Sequence, residues 1–192
     1  IVKACFLNRR DPVSHWKDIY KDAQAIKKWL NSLKVKFFKI ESEHMDLEIF
    51  PGEFRKWIGI SGHNIPSFEL FLSPDWRGTS GVYYADQPTY RSGNYARGIR
   101  LEFCKGSAVS VEAQEGRDFV QKQLTMDEGA NKVGEFSLTD KRFSKIDRFM
   151  ANTLYDENYG GKSGNCHIAL GASYSDTFDG NPAELTKEKK AR

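Results

Sequence analysis

The stretch IRLEFCKGSAVSVE at positions 99–112 decides the fold class. Apolar and polar residues alternate over 99–103 and again over 109–111, with the dipeptide Lys105-Gly106 between the two runs. A period of two puts one face of each run against a core. A glycine-containing pair between two such runs is typical of a β-hairpin. The stretch therefore predicts two neighbouring antiparallel strands.

Further strand-like runs precede this hairpin along the chain. Because they follow one another instead of alternating one by one with helices, they favour an α+β fold with a mixed, largely antiparallel sheet and flanking helices. The predicted strands are Val35–Ile40, Met45–Phe50, Phe54–Ile60, Phe68–Leu72 and Gly81–Tyr84.

The first predicted helix begins at Pro12, with Asp11 as its N-cap, and carries apolar residues at three- and four-residue spacing as far as Leu30. Apolar spacing also predicts helices over 119–124 and 143–154, and Asn181 followed by Pro182 predicts the start of another.

Length and charge narrow the function classes. A chain of 192 residues corresponds to one domain, and 29 basic against 26 acidic residues give a net charge of +3. This balance is too weak to indicate a nucleic-acid or membrane partner, and no apolar run has the 18 or so residues of a membrane span. Cys5, Cys104 and Cys166 lie far apart, which favours reduced thiols in the cytoplasm. Neither end has the features of a natural terminus, so a longer protein is expected.

Three apolar runs each contain a residue that commonly binds metals: Glu69 in PSFELFL, Glu135 in VGEFSL and His167 in CHIALG. Burying an unpaired carboxylate costs several kcal/mol, so each glutamate must face solvent, meet a cationic side chain or bind a metal. Taken singly, a solvent-facing glutamate and a satisfied core histidine are the simpler interpretations. Together with the acidic segment LYDEN at 154–158, the set suits Zn²⁺, Co²⁺, Mn²⁺ or Mg²⁺.

These segments resemble those of a known family in their residues and in their order along the chain. NIPSFELF, Gly134-Glu135, LYDEN and CHIALGASY are similar to the thermophilic-type metalloaminopeptidases, the family of aminopeptidases T, S and PepS. The similarity extends from Asp11 to the DTFDG segment at 176–180, and HIALG followed by a tyrosine is its most specific part. It implies that residues 1–192 form a single metal-binding catalytic domain, the carboxy-terminal portion of such an enzyme.

The resemblance implies roles for five residues. Glu69, Glu135 and His167 are expected as metal ligands, with Glu135 bridging two ions, and Glu157 as a further ligand. Glu157 and Glu135 are both candidates for the general base, and Tyr174 is expected to stabilise the oxyanion on the scissile carbonyl. The implied cofactor is two divalent metal ions (Zn, Co, Mn or Mg), and the implied reaction is hydrolysis of the N-terminal peptide bond of peptides by a metal-activated water.

The sequence also departs from the family. A His-x-Asp pair that completes the family's metal site does not follow His167, and the family's amino-terminal domain is absent from residues 1–192. A non-catalytic or truncated member that keeps the fold and self-association, as a homodimer, therefore remains an alternative. A third hypothesis is a β-rich module that binds carbohydrate or peptide through its tyrosines and Trp76. The enzyme hypothesis requires Glu69, Glu135 and His167 to converge, whereas the binding module has no need of them.

Overall fold

A computed structural model describes residues 1–186, and its elements confirm the α+β class. The helices are α1 (Pro12–Ser32), α2 (Arg117–Leu124) and α3 (Thr153–Glu157). The strands are β1 (Phe38–Glu41), β2 (Asp46–Ile49), β3 (Ile58–Gly59), β4 (Glu69–Leu72), β5 (Ser80–Ala85), β6 (Thr89–Arg91), β7 (Asn94–Ala96), β8 (Ile99–Cys104), β9 (Ser107–Glu112), β10 (Val133–Thr139) and β11 (Asn165–Leu170).

These strands form three sheets. A five-stranded sheet has the order β1-β2-β5-β8-β9, a four-stranded sheet has the order β11-β10-β4-β3, and β6 pairs with β7. Neighbours in the five-stranded sheet are antiparallel, as are β3 with β4 and β6 with β7. The largely antiparallel sheet predicted from the sequence is therefore confirmed.

The chain divides into two compact units. The first contains residues 1–34, 57–71 and 137–167, and the second contains residues 35–56, 72–136 and the chain from Ile168 onward. The five-stranded sheet and the hairpin β6–β7 belong to the second unit. The expectation that residues 1–192 form a single domain stays a prediction.

Helix α1 supplies much of the apolar core of the first unit. It begins as predicted, because the Asp11 carboxylate accepts a hydrogen bond from the Ser14 backbone N–H at 2.9 Å. Ile19 and Ala23 are buried in a cluster with Phe6, Phe68 and Ile146, against which Trp16 and Tyr155 also pack. The buried face is narrower than the apolar spacing predicts, since Tyr20 and Trp29, which that spacing places on the same face, are 49% and 60% exposed.

The predicted hairpin is present as β8 and β9. Cys104 pairs with Ser107, which leaves a two-residue loop of Lys105 and Gly106 with φ values of 49° and 83°. Two consecutive left-handed residues form the turn whose twist matches that of the strands. At Gly106 a side chain is also excluded by space, because a Cβ atom would lie 2.4 Å from the Trp76 carbonyl oxygen.

The predicted helix over residues 143–154 is wrong. Only Thr153–Glu157 is α-helical, and the segment before it is an irregular loop whose apolar side chains still reach the core of the first unit. The Ile146 carbonyl accepts hydrogen bonds from the backbone N–H groups of Gly160 and Gly161, at 2.9 and 3.2 Å. Its hydrogen-bonding capacity is therefore used by a distant segment instead of a helical turn.

Two other predicted elements are shorter than expected. Of the strand predicted over Phe54–Ile60, only Ile58–Gly59 pairs with β4. Asn181 caps a 3₁₀ turn at Pro182–Glu184, which ends at the extended residue Leu185. The part of the predicted helix that falls on residues 187–192 lies outside the described residues. Within residues 1–186, no helix is both long and apolar enough to cross a membrane.

Candidate metal centre

Three strands of the four-stranded sheet carry the residues that the sequence singled out. Glu69 is the first residue of β4, Glu135 lies in β10 and His167 lies in β11. Strand β10 is hydrogen-bonded between β11 and β4, so residues distant in sequence are carried on neighbouring strands. The order of the strands thus explains why no compact sequence motif contains all three residues.

The side chains of these three residues converge. His167 Nε2 lies 3.4 Å from Glu69 Oε2, and the Ser137 hydroxyl donates a 2.7 Å hydrogen bond to that same oxygen. Glu135 precedes Ser137 by two residues, so the pleat of β10 turns both side chains to one face. One ligand atom from each of Glu69, Glu135 and His167 lies within 4.8 Å of the other two.

Burial makes this convergence chemically informative. Glu69 is 8% and Glu135 is 6% exposed. This burial rules out the solvent-facing position that was the simpler interpretation of each glutamate on its own. Two carboxylates this close repel each other, and removing both from water adds a desolvation cost. A divalent cation offsets both terms, and carboxylate oxygen with imidazole nitrogen is a donor set that suits Zn²⁺, Co²⁺ or Mn²⁺. The residues present therefore fit a metal ion.

The glycine before Glu135 is required by packing. An added Cβ atom at Gly134 would lie 2.2 Å from the Ala172 carbonyl oxygen and 2.6 Å from that of Gly171. The chain is held this close by a 2.8 Å hydrogen bond from the Gly171 N–H to the Lys132 carbonyl. Gly134 thus allows the segment after β11 to pack directly beside the strand that carries Glu135.

Glu157 is not one of the three residues of this group. It is the last residue of α3, and within the described part of the chain the metal-capable group contains Glu69, Glu135 and His167 only. Its carbonyl accepts a 2.8 Å hydrogen bond from the Asn165 side chain. The ligand and general-base roles expected for Glu157 stay predictions.

The residues on either side of Glu157 fix the backbone around it. The Asp156 carboxylate accepts hydrogen bonds from the N–H groups of Met150 and Asn152, at 2.6 and 2.9 Å. Asp156 thus anchors the loop that enters α3. In the LYDEN segment, the aspartate and the asparagine have structural contacts that the sequence analysis did not assign.

Asn158 contacts the residue before Glu69, and the sequence analysis did not identify it. Its side chain is fully buried, accepts a 2.6 Å hydrogen bond from the Phe68 N–H and donates a 2.9 Å bond to the Leu154 carbonyl. Its carbonyl also accepts a 2.5 Å bond from the Ser144 hydroxyl. Asn158 therefore ties the end of α3 to the residue immediately before Glu69, a link between positions ninety residues apart.

Asn158→Ala is expected to lower the free energy of unfolding by about 3 kcal/mol, because it leaves a buried N–H and a carbonyl without their partner. Urea unfolding followed by tryptophan fluorescence measures the change. Asn165→Ala, which removes one partly buried hydrogen bond in the same unit, is the control and is expected to cost about 1 kcal/mol. Equal losses in the two variants would contradict the linking role of Asn158.

Tyr174 lies on the second unit with an accessible ring. It is 52% exposed, and its backbone N–H donates a 2.7 Å hydrogen bond to the Ser73 hydroxyl. The Thr177 hydroxyl donates to the Tyr174 carbonyl at 2.7 Å. The backbone is fixed while the side chain meets solvent, so a buried packing role does not account for this tyrosine. Its oxyanion role stays a prediction.

The loop around Trp76 borders a cavity of about 590 Å³ in the second unit. Asp75 caps the 3₁₀ turn there and pairs with the Arg77 guanidinium at 2.8 and 2.5 Å. Burial lowers the pKa of Arg55, which also lines the cavity, and the charge of Asp75 opposes that shift. None of the five predicted site residues lines this cavity.

A group of two buried carboxylates and a half-buried imidazole is a donor set typical of metal-dependent proteins, and comparison with known proteins agrees. The family model described as "Thermophilic metalloprotease (M29)" matches residues 1–192. The chain therefore belongs to the M29 family of thermophilic metalloproteases, as the sequence resemblance indicated.

Individual relatives are aminopeptidases. The chain is 29% identical to aminopeptidase T of Thermus aquaticus over 194 residues, which cover 95% of this chain and 46% of that protein. It is 29% identical to aminopeptidase AmpS of Bacillus subtilis (strain 168) over 203 residues, 98% of this chain and 48% of that protein. The chain thus spans about half the length of the curated relatives it matches.

A solved structure shows the same fold. Wild-type AmpT from Thermus thermophilus aligns with a TM-score of 0.78 at 27% identity, over 90% of this chain and 45% of that structure. The α+β fold of this chain is therefore shared with part of that structure.

Proposed function

We propose that this chain forms the metal-binding part of an aminopeptidase that hydrolyses the first peptide bond of peptides with a free N-terminus. The observation that carries the proposal is the convergence of Glu69, Glu135 and His167, whose ligand atoms lie within 4.8 Å of one another. The enzyme requires this convergence. A carbohydrate- or peptide-binding module gives no reason to bury two glutamates beside a histidine.

In this proposal Glu69, Glu135 and His167 would hold the divalent cations, and the ligand role expected for Glu157 is the alternative to its role as the base. When bound, two such ions lower the pKa of a water molecule and polarise the scissile carbonyl. A carboxylate bridging two ions has its lone pairs committed and is a poor base. Since Glu135 belongs to the clustered group and Glu157 does not, Glu157 is assigned as the base that takes the water's proton and passes it to the leaving amine.

Tyr174 is assigned to the carbonyl oxygen. In the proposed reaction its hydroxyl donates a hydrogen bond to that oxygen as negative charge develops on it, which stabilises the transition state more than the ground state. The half-exposed ring and the fixed backbone support this assignment, because the side chain is accessible while its position is defined. The proposal also includes a cytoplasmic location and a homodimer, as the sequence analysis predicted.

Metal titration with a coupled activity assay tests the proposal. We expect Zn²⁺, Co²⁺ or Mn²⁺ to bind the metal-stripped protein in isothermal titration calorimetry and to restore hydrolysis of leucine p-nitroanilide. His167→Ala is expected to weaken metal binding by more than about 100-fold. It removes a direct ligand, and losing even a residue that only orients a ligand lowers metal affinity by about 10- to 100-fold. His44→Ala, an exposed histidine beside Glu43, is the control and is expected to bind like the wild type.

The outcomes separate the hypotheses. Metal binding without turnover would favour a non-catalytic or truncated family member. Absence of metal binding would overturn the proposed site itself. Binding that His167→Ala leaves unchanged would place the ions elsewhere in the chain.

A further inference from the structure

The carboxylate of Glu69 is held by a residue that has no assigned role. The Ser137 hydroxyl donates a 2.7 Å hydrogen bond to Glu69 Oε2, the oxygen that also lies 3.4 Å from His167 Nε2. Ser137 is fully buried and Glu69 is 8% exposed. Little water therefore competes for this bond, and a charge-assisted hydrogen bond of this length is among the stronger kinds in proteins.

The backbone of Glu69 is fixed as well. The fully buried Asn158 side chain accepts a 2.6 Å hydrogen bond from the N–H of Phe68, the residue before Glu69. Glu69 also opens β4, where Gly59 pairs with Leu70. With the main chain held on both sides, the remaining freedom of the carboxylate is rotation about its side-chain bonds, and Ser137 restrains that rotation.

We propose that Ser137 is a positioning residue that sets the orientation of the Glu69 carboxylate toward the metal. This inference rests on the proposed function, because it assumes that Glu69 is a ligand. Two residues on one face of strand β10 then have separate roles: Glu135 supplies a ligand, and Ser137 orients the ligand of the neighbouring strand. The energetic reason is preorganisation, since a carboxylate already held in its bound orientation loses less conformational freedom when the ion enters.

Ser137→Ala tests this role against a matched variant on the same strand. Thr139, two residues further along β10, is also buried, and within the described part of the chain its hydroxyl has no hydrogen-bond partner. Thr139→Val therefore removes a buried hydroxyl of the same strand face without touching Glu69. Both variants and the wild type are titrated with Zn²⁺ and Co²⁺ by calorimetry, and the thermal midpoint of each metal-free protein is measured.

We expect Ser137→Ala to weaken metal affinity by about 10- to 100-fold, the range found for outer-shell partners of metal ligands, and Thr139→Val to leave it within about threefold. A purely structural hydroxyl would lower the metal-free thermal midpoint and leave the affinity unchanged. Wild-type affinity in Ser137→Ala, or equal losses in both variants, would overturn the positioning role while leaving the proposed function intact. Absence of metal binding by the wild-type protein would instead overturn the proposed function.

Discussion

Glu135→Gln is expected to reduce the affinity of the protein for divalent cations by more than about 100-fold, beyond the 10- to 100-fold typical of outer-shell partners. A neutral amide oxygen is a weaker donor than a carboxylate and cannot bridge two cations through two anionic oxygens. The variant is also expected to lose metal-dependent hydrolysis of leucine p-nitroanilide. Isothermal titration calorimetry of the metal-stripped variant measures the first effect, and initial rates measure the second.

The same substitution is expected to have a small effect on the stability of the metal-free protein. Glu69 and Glu135 are both buried with ligand oxygens within 4.8 Å, so their charges repel each other when no cation is present. Glutamine relieves this repulsion and keeps the size of the side chain, so the substitution is expected to lower the metal-free free energy of unfolding far less than it lowers metal affinity, which distinguishes loss of a ligand from loss of the fold.

Glu102→Gln is the matched control, because Glu102 is an exposed glutamate in the middle of β8. It is expected to bind metal and to unfold like the wild type. Wild-type turnover in Glu135→Gln would contradict the bridging assignment. A loss of metal-free stability as pronounced as the loss of metal affinity would show that the carboxylate acts mainly in the fold and not as a ligand.

The sequence was a good guide where the determinants are local. The cap at Asp11 and the Lys105-Gly106 turn were predicted correctly, because each depends on hydrogen bonds or backbone angles within a few residues. The prediction of a helix over 143–154 was wrong because the determinants there are not local. Its apolar residues have helical spacing, but the Ile146 carbonyl is bonded to Gly160 and Gly161, and periodicity carries no information about such distant partners.

The candidate site shows the same limit. The residue types at Glu69, Glu135 and His167 suggested a metal, yet only the family resemblance led us to expect them together, because strand order cannot be derived from spacing. Ser137 and Asn158 went unnoticed. A serine in a strand and an asparagine after a helix are common in any sequence, and their importance here arises from contacts 68 and 90 residues away.

Gly134→Ala is expected to destabilise the fold by about 3 kcal/mol, the upper part of the range for overpacking a buried site. The new Cβ atom would lie 2.2 Å from the Ala172 carbonyl oxygen, and backbone cannot move aside as the end of a flexible side chain does. Relief requires the segment after β11 to separate from β10, which would break the 2.8 Å hydrogen bond between Gly171 and Lys132. Urea unfolding measures the loss.

Gly129→Ala provides the matched control in the same unit, since the nearest atom to its added Cβ is an Asp127 side-chain oxygen at 3.4 Å, which can shift. We expect this variant to be within about 0.5 kcal/mol of the wild type, as for most surface substitutions. Because Gly134 adjoins Glu135, Gly134→Ala is also expected to weaken metal binding under conditions in which the protein remains folded. Wild-type stability in Gly134→Ala would mean that the segment after β11 does not pack closely against β10. The packing role assigned to Gly134 would then be wrong.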